Sequence, residues 1–227
     1  MSRAAVLPSP VWGLILAAGS GSRFGRPKQF EPVAGHPLLW YSMRAFDRCP
    51  DIMSWTVVTI PKRISFITRQ VANARFRKLR AIVAGGRTRA DSVHNGLASL
   101  PEQGMVVIHD AARPLVTPAM LSAGIKLCRR LPVTYATPVT DTLKRVGSNR
   151  VIETVDRDGL WAVQTPQFFP LSVLRKAYRS AGDAAGTATD DCGLVERIGV
   201  LPRVIIPPGP NIKVTWPADL ALVRRLL

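Results

Sequence analysis

The chain has 227 residues, 47% hydrophobic and 20% charged, and a formal charge of +16 from 31 Lys and Arg against 15 Asp and Glu. This excludes a disordered chain and suffices for the core of one large domain, or of one domain with a small appendage. The basic surplus admits nucleic acid, an anionic membrane surface or phosphorylated ligands. The basic residues are scattered, however, aromatics are only 7%, and no recognition helix, RNA-stacking motif or zinc-finger spacing is evident. The charge therefore reads as part ligand field and part solvated surface.

Residues 1–10 read as a flexible leader. Arg3 followed by Val11–Ala18 faintly mimics a secretion signal, but Pro8 and Pro10 interrupt the apolar region and cleavage near Ala18 would remove the first strand. No apolar run is long enough to span a bilayer. Cys49, Cys128 and Cys192 are far apart and form no C-x-x-C pair, which points to a reduced, cytoplasmic protein without disulfides or a zinc site.

From Val11 onward, strand-like and helix-like segments alternate. Val11–Ala17 reads as a buried strand, Pro37–Phe46 as a helix, Trp55–Ile60 as a strand and Lys62–Ala74 as a helix. Leu79–Ala84, Met105–Ile108 and Val133–Thr137 supply further strands. Asp91–Leu100 and Pro118–Leu131 supply helices, the second with Thr117 as N-cap. The alternation predicts an α/β, Rossmann-like fold: a mostly parallel twisted sheet with helices on both faces and ligands beyond the carboxyl ends of its strands. Between 139 and 167 polar and β-forming residues alternate around Gly147-Ser148-Asn149 and Asp158-Gly159, which predicts a projecting β-arm. A helix at Leu171–Ala181, a loop rich in Gly, Ala and Thr, a helix near Asp191–Ile198, a strand at Arg203–Ile206 and a helix at Pro217–Leu227 complete the chain.

The first strand breaks at Ala17-Ala18 into Gly19-Ser20-Gly21-Ser22-Arg23-Phe24-Gly25-Arg26-Pro27-Lys28, a loop with three basic residues and no acid. Such a loop offers backbone N–H groups and positive charge to a polyphosphate. It is not a Walker loop, because Arg26-Pro27 follows Gly25 where Gly-Lys-Ser/Thr is needed. Nor is it a dinucleotide fingerprint, because three residues separate Gly21 from Gly25 and the second strand runs into Pro61-Lys62 rather than an acid. Arg23 and Lys28 instead suit charge stabilisation on a reacting phosphate. The third strand ends in Gly85-Gly86-Arg87-Thr88-Arg89-Ala90-Asp91-Ser92, whose glycines expose backbone groups suited to a base edge. The fourth ends in His109-Asp110-Ala111-Ala112-Arg113-Pro114. Asp110 there suits Mg²⁺ or a ribose hydroxyl, and Arg113 a phosphate. Singly, each has a bland reading as a cap, turn residue or surface charge; at successive strand ends they imply one site. His109 reads as a structural loop histidine.

The segments LAAGSGSRFGRPKQF, GGRTRADSVHNGL, HDAARP, PVTDTLKR, TVDRDGLWAVQTPQFF, ATDDCGLVERIG and NIKVTWPADL together resemble the 2-C-methyl-D-erythritol 4-phosphate cytidylyltransferase family, in family order from about residue 12 to the end. The resemblance implies a single nucleotidyltransferase domain over 11–227, joining CTP to 2-C-methyl-D-erythritol 4-phosphate with Mg²⁺ and releasing pyrophosphate. It implies transition-state stabilisation by Arg23 and Lys28, and nucleotide contacts from Ala17, Ala18, Gly19, Gly21, Gly86, Arg87, Ser92 and Asp110, the last also beside the metal. Arg87 stands where an acid can occur, so its backbone is the contact carried over. The resemblance further implies substrate positioning by Thr142, Arg157 and Lys213, with Arg113, Thr165 and Thr189 near the same pocket. It makes the arm the seam of a homodimer in which Thr142 and Arg157 complete the partner's site. No specific nucleic acid and no membrane are expected as partners. The nearest rival is a cytidylyltransferase for another polyol phosphate such as ribitol 5-phosphate; a different class is a basic nucleic-acid-binding protein.

Overall fold

The computed structural model describes residues 9–129 and 131–227; the first eight residues of the expected leader, and Arg130, lie outside the described residues. A seven-stranded sheet is built from β1 (Val11–Ala17), β4 (Ser54–Thr59), β5 (Leu79–Ala84), β6 (Met105–Asp110), β7 (Val133–Pro138), β10 (Trp161–Pro170) and β11 (Arg203–Ile205). A two-residue hairpin, β2 (Pro32–Val33) and β3 (His36–Pro37), follows the glycine loop, and β8 (Leu143–Gly147) pairs with β9 (Arg150–Val155) outside the main sheet. The order β11-β7-β10-β6-β1-β4-β5 is parallel throughout except for β10, which runs antiparallel to both neighbours. This is the expected mostly parallel α/β architecture.

The two faces are legible in β1. Val11, Ile15 and Ala17 belong to one buried cluster with Leu39, Met43 and Phe46 of α1 (Leu38–Arg48), Ile67 of α2 (Ile64–Ala74) and Leu121 of α4 (Pro118–Leu127). Trp12 and Leu14 point the other way, toward Val93 and Leu97 of α3 (Arg89–Ala98), Leu174 and Tyr178 of α5 (Leu171–Ala181) and Leu194 of α6 (Asp191–Glu196). Strand side chains alternate with period two, so a strand apolar at every position must be covered on both sides. A third cluster joins Phe24 of the glycine loop to Val33, Leu38, Val214 and Val223 of α7 (Pro217–Leu226). It anchors the loop and the segment carrying Lys213 to the same apolar patch.

Several boundaries differ from expectation, each for a local reason. α3 starts two residues early because Thr88 and Asp91 form a reciprocal capping box. α4 stops at Leu127, where Cys128 leaves helical geometry; Leu131 precedes Pro132, which disfavours further helix. α6 is shorter than expected, capped by Asp190 and followed by Gly199 at positive φ. The loop rich in Gly, Ala and Thr closes into a 3-10 turn at Gly182–Thr187. The expected arm is shorter: it consists of the β8–β9 hairpin turning at Ser148-Asn149, both at positive φ, and from Trp161 the chain is back in the main sheet beside β7. β6 runs to Asp110, so His109 is a strand residue and not a loop residue.

Gly13 lies at the centre of this packing, in register with Trp55 and Val107. A Cβ there would sit 2.5 Å from the Phe46 ring and 2.8 Å from Trp55 Cβ. Gly13→Ala should therefore lower unfolding free energy by about 1–3 kcal/mol, as overpacking outweighs the gain in strand propensity. Urea unfolding measures it, and an unchanged or raised midpoint would contradict this packing.

Candidate active site

A cleft of about 540 Å³ opens at the carboxyl ends of β1 and β6. The structure brings Ala17, Ala18, Gly19, Gly21, Arg23, Lys28, Gly86, Arg87, Ser92, Asp110 and Lys213 to its lining. Among the described residues the backbone N–H groups from Ala18 to Arg23 make no protein hydrogen bond, so they remain available to an anion. The loop is held by Gln29, a buried residue whose amide donates to Ala17 O at 2.7 Å and Gly19 O at 2.9 Å. Gly21 takes φ +72°, and a Cβ there would meet Arg26 O at 1.9 Å. Glycine is thus required where the loop folds back on itself.

The three basic residues of the loop do not act together. Arg26 forms a forked ion pair with Glu31, at 2.6 and 2.7 Å, and is absent from the lining. Arg23 and Lys28 both line the cleft, so the short spacing between them brings them to one place. Burial lowers the Lys28 pKa, and the nearby charges of Lys213 and Arg23 lower it further against opposition from Asp110 and Asp219. A phosphate in the cleft would relieve that crowding of cations.

Gly85 and Gly86 differ from the expected reading of exposed backbone groups. Gly85 N–H donates to Thr59 O at 2.8 Å and Gly86 N–H to Ser92 Oγ at 3.1 Å, and of the two only Gly86 lines the cleft, so its carbonyl is what can meet a base. Gly85 is needed for another reason: a Cβ on it would lie 2.3 Å from Ala18 Cβ, and the two loops touch there.

Among the described residues Asp110 is the one carboxylate in the lining. Its Oδ2 lies 2.6 Å from Lys213 Nζ, and its Oδ1 lies 3.6 Å from Nε of Arg89. Burial raises the Asp110 pKa, but Arg89, Lys213 and Arg113 outweigh it and hold the carboxyl below the ordinary carboxylate range. Its backbone N–H donates to Thr165 Oγ1 at 3.0 Å. Thr165 and Arg113 lie beneath the cleft and not in its lining. Thr165 Oγ1 is 3.2 Å from Nδ1 of His109, whose Nε2 is 3.0 Å from the Arg113 carbonyl. The carbonyl can only accept, so Nε2 carries the proton and Nδ1 accepts from Thr165. Arg113 donates to Asn211 O at 2.7 Å, and Asn211 donates to Thr165 O at 2.8 Å, closing the network. Val214 N–H donates to Ala112 O at 2.8 Å, which sets Lys213 opposite Asp110. Thr142, Arg157 and Thr189 are exposed and outside the cleft, with Arg157 donating to the Thr140 carbonyl at the base of the arm. The sequence reading missed Gln29, Arg89, Asp191 and Asn211. Gln29 and Asn211 sit inside quoted motifs but carry no charge pattern to mark them, and Arg89 was visible only as a member of the RTRADS run.

Residues 11–227 match the family model for 2-C-methyl-D-erythritol 4-phosphate cytidylyltransferase. The chain belongs to this family. A 2-C-methyl-D-erythritol 4-phosphate cytidylyltransferase of Cupriavidus pinatubonensis is 40% identical over 235 residues, covering 95% of this chain and 93% of the relative. A solved 4-diphosphocytidyl-2C-methyl-D-erythritol synthase is 32% identical with a TM-score of 0.81, over 96% of this chain and 99% of its own. The Francisella tularensis cytidylyltransferase structure is 27% identical with a TM-score of 0.82, over 96% and 100%. The cytidylyltransferase fold is therefore shared along nearly the whole chain.

His109 is fully buried, and burial pushes its pKa down to about 4 despite the hydrogen bond to Arg113 and the charge of Asp110. Between about pH 4 and 6.5 the unfolded chain binds a proton that the folded one refuses, so stability is full above this window and falls as pH drops through it. The loss should approach about 3 kcal/mol by pH 4. Unfolding of the ligand-free protein across this range measures it. His109→Gln should remove most of the slope; an unchanged slope would contradict the assignment.

Proposed function

We propose that this cleft transfers the cytidylyl group of CTP to 2-C-methyl-D-erythritol 4-phosphate, giving 4-diphosphocytidyl-2-C-methyl-D-erythritol and pyrophosphate in isoprenoid precursor synthesis. The observation that carries it is the convergence of Arg23, Lys28 and Lys213 around Asp110 at the sheet's carboxyl edge. A substrate phosphate oxygen attacks the α-phosphorus in line; that P–O bond forms as the α–β bridge breaks, and pyrophosphate leaves. The nucleophile is already an anion, so no general base is needed. The barrier lies in joining two anions and spreading charge over the α-phosphate. Arg23 and Lys28, with the unpaired N–H groups of the glycine loop, meet that charge. The carbonyl of Gly86 and the loop backbone at Ala17–Gly19 hold the cytidine. Lys213 exchanges Asp110 for the polyol phosphate. Thr165 and Arg113 act by holding Asp110 and Asn211 in place.

The donor set fits a Mg²⁺ ion of the kind held mainly by substrate phosphates. Asp110 is ionised at the cleft and would hold the ion, while the described residues place no cluster of three or more His, Cys, Asp or Glu that would make a protein cage. Bound there, the ion would neutralise phosphate charge.

The arm supports a homodimer. Val146, Val151, Ile152 and Trp161 are exposed apolar residues on the hairpin and its return strand, and Thr142 and Arg157 stand at its base. In the dimer these two residues reach the partner's cleft and position the polyol phosphate. Among the described residues no helix is long and apolar enough to cross a membrane, and the three cysteines are free and buried. That suits a reducing compartment, and we assign the cytoplasm.

Pyrophosphate release from CTP should be fast with 2-C-methyl-D-erythritol 4-phosphate and slow with ribitol 5-phosphate; the reverse would replace this substrate. Arg23→Ala and Lys28→Ala should each lower kcat by at least about 100-fold, whereas Arg26→Ala should change it by less than about threefold. Near-normal kcat in either of the first two would remove its transition-state role. Mixing inactive Arg157→Ala protein with inactive Lys28→Ala protein should restore part of the activity, because one mixed site then holds no substitution. No recovery after verified subunit exchange would place Arg157 in its own chain's site.

A further inference from the structure

Arg89 opens α3 and lines the cleft, yet its guanidinium is committed to two carboxylates. Besides the 3.6 Å contact to Asp110, Nη1 lies 2.8 Å from Oδ2 of Asp191. Asp191 is fully buried, and its Oδ1 accepts the Tyr178 hydroxyl at 2.7 Å. Neither Asp191 nor Tyr178 lines the cleft. Asp191 is itself fixed, because Asp190 caps α6 through Gly193 N–H at 2.9 Å and accepts from Gln167 at 2.6 Å. The Arg89 Nη2 is buried and has no partner among the described residues. Asp191 Oδ2 likewise accepts no hydrogen bond among the described residues, so the guanidinium is held between its two carboxylates by charge, as ion pairs.

We infer that Arg89 is a positioning residue for the transfer, a strut that fixes the Asp110 carboxylate in the cleft from a buried base of Asp191 and Tyr178. The inference rests on the cytidylyl-transfer reading of the cleft. Asp110 has two charged partners of unlike mobility. Lys213 is more exposed, on a flexible stem, and an incoming phosphate competes for it. Arg89 also faces the fully buried Asp191 carboxylate, 2.8 Å from its Nη1, and that ion pair keeps it in place when Lys213 turns to substrate. Without Arg89, no protein group would hold the Asp110 carboxylate once Lys213 turns to substrate. Its carboxylate would then swing out of register with the reacting phosphates. A displacement of about 1 Å at such a site costs about 100-fold in rate. Arg89 touches no reacting atom in this scheme; it acts through Asp110.

The test compares Arg89→Ala, Arg89→Lys and Tyr178→Phe with wild type, using whichever polyol phosphate the wild type turns over. Failure with methylerythritol phosphate then counts against the substrate and not against the strut. Arg89→Ala should lose about 100-fold in kcat per folded molecule with KM for both substrates within about fivefold, and guanidinium at non-denaturing concentration should recover part of the loss. Arg89→Lys should be intermediate, because an ammonium restores charge without the fork. Tyr178→Phe acts from outside the cleft and decides the matter should Arg89→Ala fail to fold; it should lower kcat about tenfold without raising KM. A purely structural ion pair predicts lower melting temperatures with normal kcat per folded molecule and no guanidinium recovery. That result, or wild-type kcat in Tyr178→Phe when Arg89→Ala does not fold, would overturn the inference.

Discussion

Asp110 carries a single negative charge into a cleft lined by Arg23, Lys28, Arg87, Arg89 and Lys213, and the arrangement of the cleft follows from that imbalance. Five cations crowded together without a counter-charge would repel one another and destabilise the fold. One carboxylate, ionised because Arg89 and Lys213 outweigh its desolvation, relieves part of the repulsion and orients two of the five. The remainder stays uncompensated, and Lys28 registers it: burial first, and then the charges of Lys213 and Arg23, lower its pKa. The cleft therefore carries a net positive field in the absence of any ligand, set by side chains the fold already holds in place.

The scaffold places these charges by apolar means. β1 and β6 are buried neighbours in the sheet, so their carboxyl ends, with the glycine loop and Asp110, are brought together as a consequence of core formation. Lys213 lies on irregular chain, and the Phe24–Val214 cluster together with the Val214–Ala112 hydrogen bond gives that segment the precision that a strand would otherwise provide. Beneath the floor, the buried polar network of His109, Thr165, Arg113 and Asn211 is nearly closed on itself. A network of this kind rigidifies what lies above it when satisfied and is costly when broken.

Much of the fold was legible from pattern. The alternation of apolar runs and capped helical segments identified the mostly parallel sheet, because a strand covered on both faces must be apolar at every position. Boundaries slipped where one side chain decided them, as with the Thr88–Asp91 box and the extension of β6 through His109. The cleft was also legible in part. The glycines, Arg23, Lys28 and Asp110 stand out because their chemistry is unusual for their position, whereas Lys213 was marked only by the family resemblance. Gln29 and Asn211 do not stand out, since an amide that ties two loop carbonyls together looks on paper like any surface amide.

Residue order and type alone were enough for the α/β class, for a glycine-rich basic loop after the first strand, and for the family of motifs to which that loop belongs. These are properties of order and residue type, which survive without coordinates. Which charges share a space came from packing alone. It separated Arg26, neutralised by Glu31, from Arg23 and Lys28, and it moved Thr165 and Arg113 from the pocket wall to its foundation. It also brought Arg89 between Asp110 and Asp191, residues 81 positions apart in the chain. Electrostatic interaction depends on distance and burial rather than on residue type, and those two quantities exist only once the chain has packed.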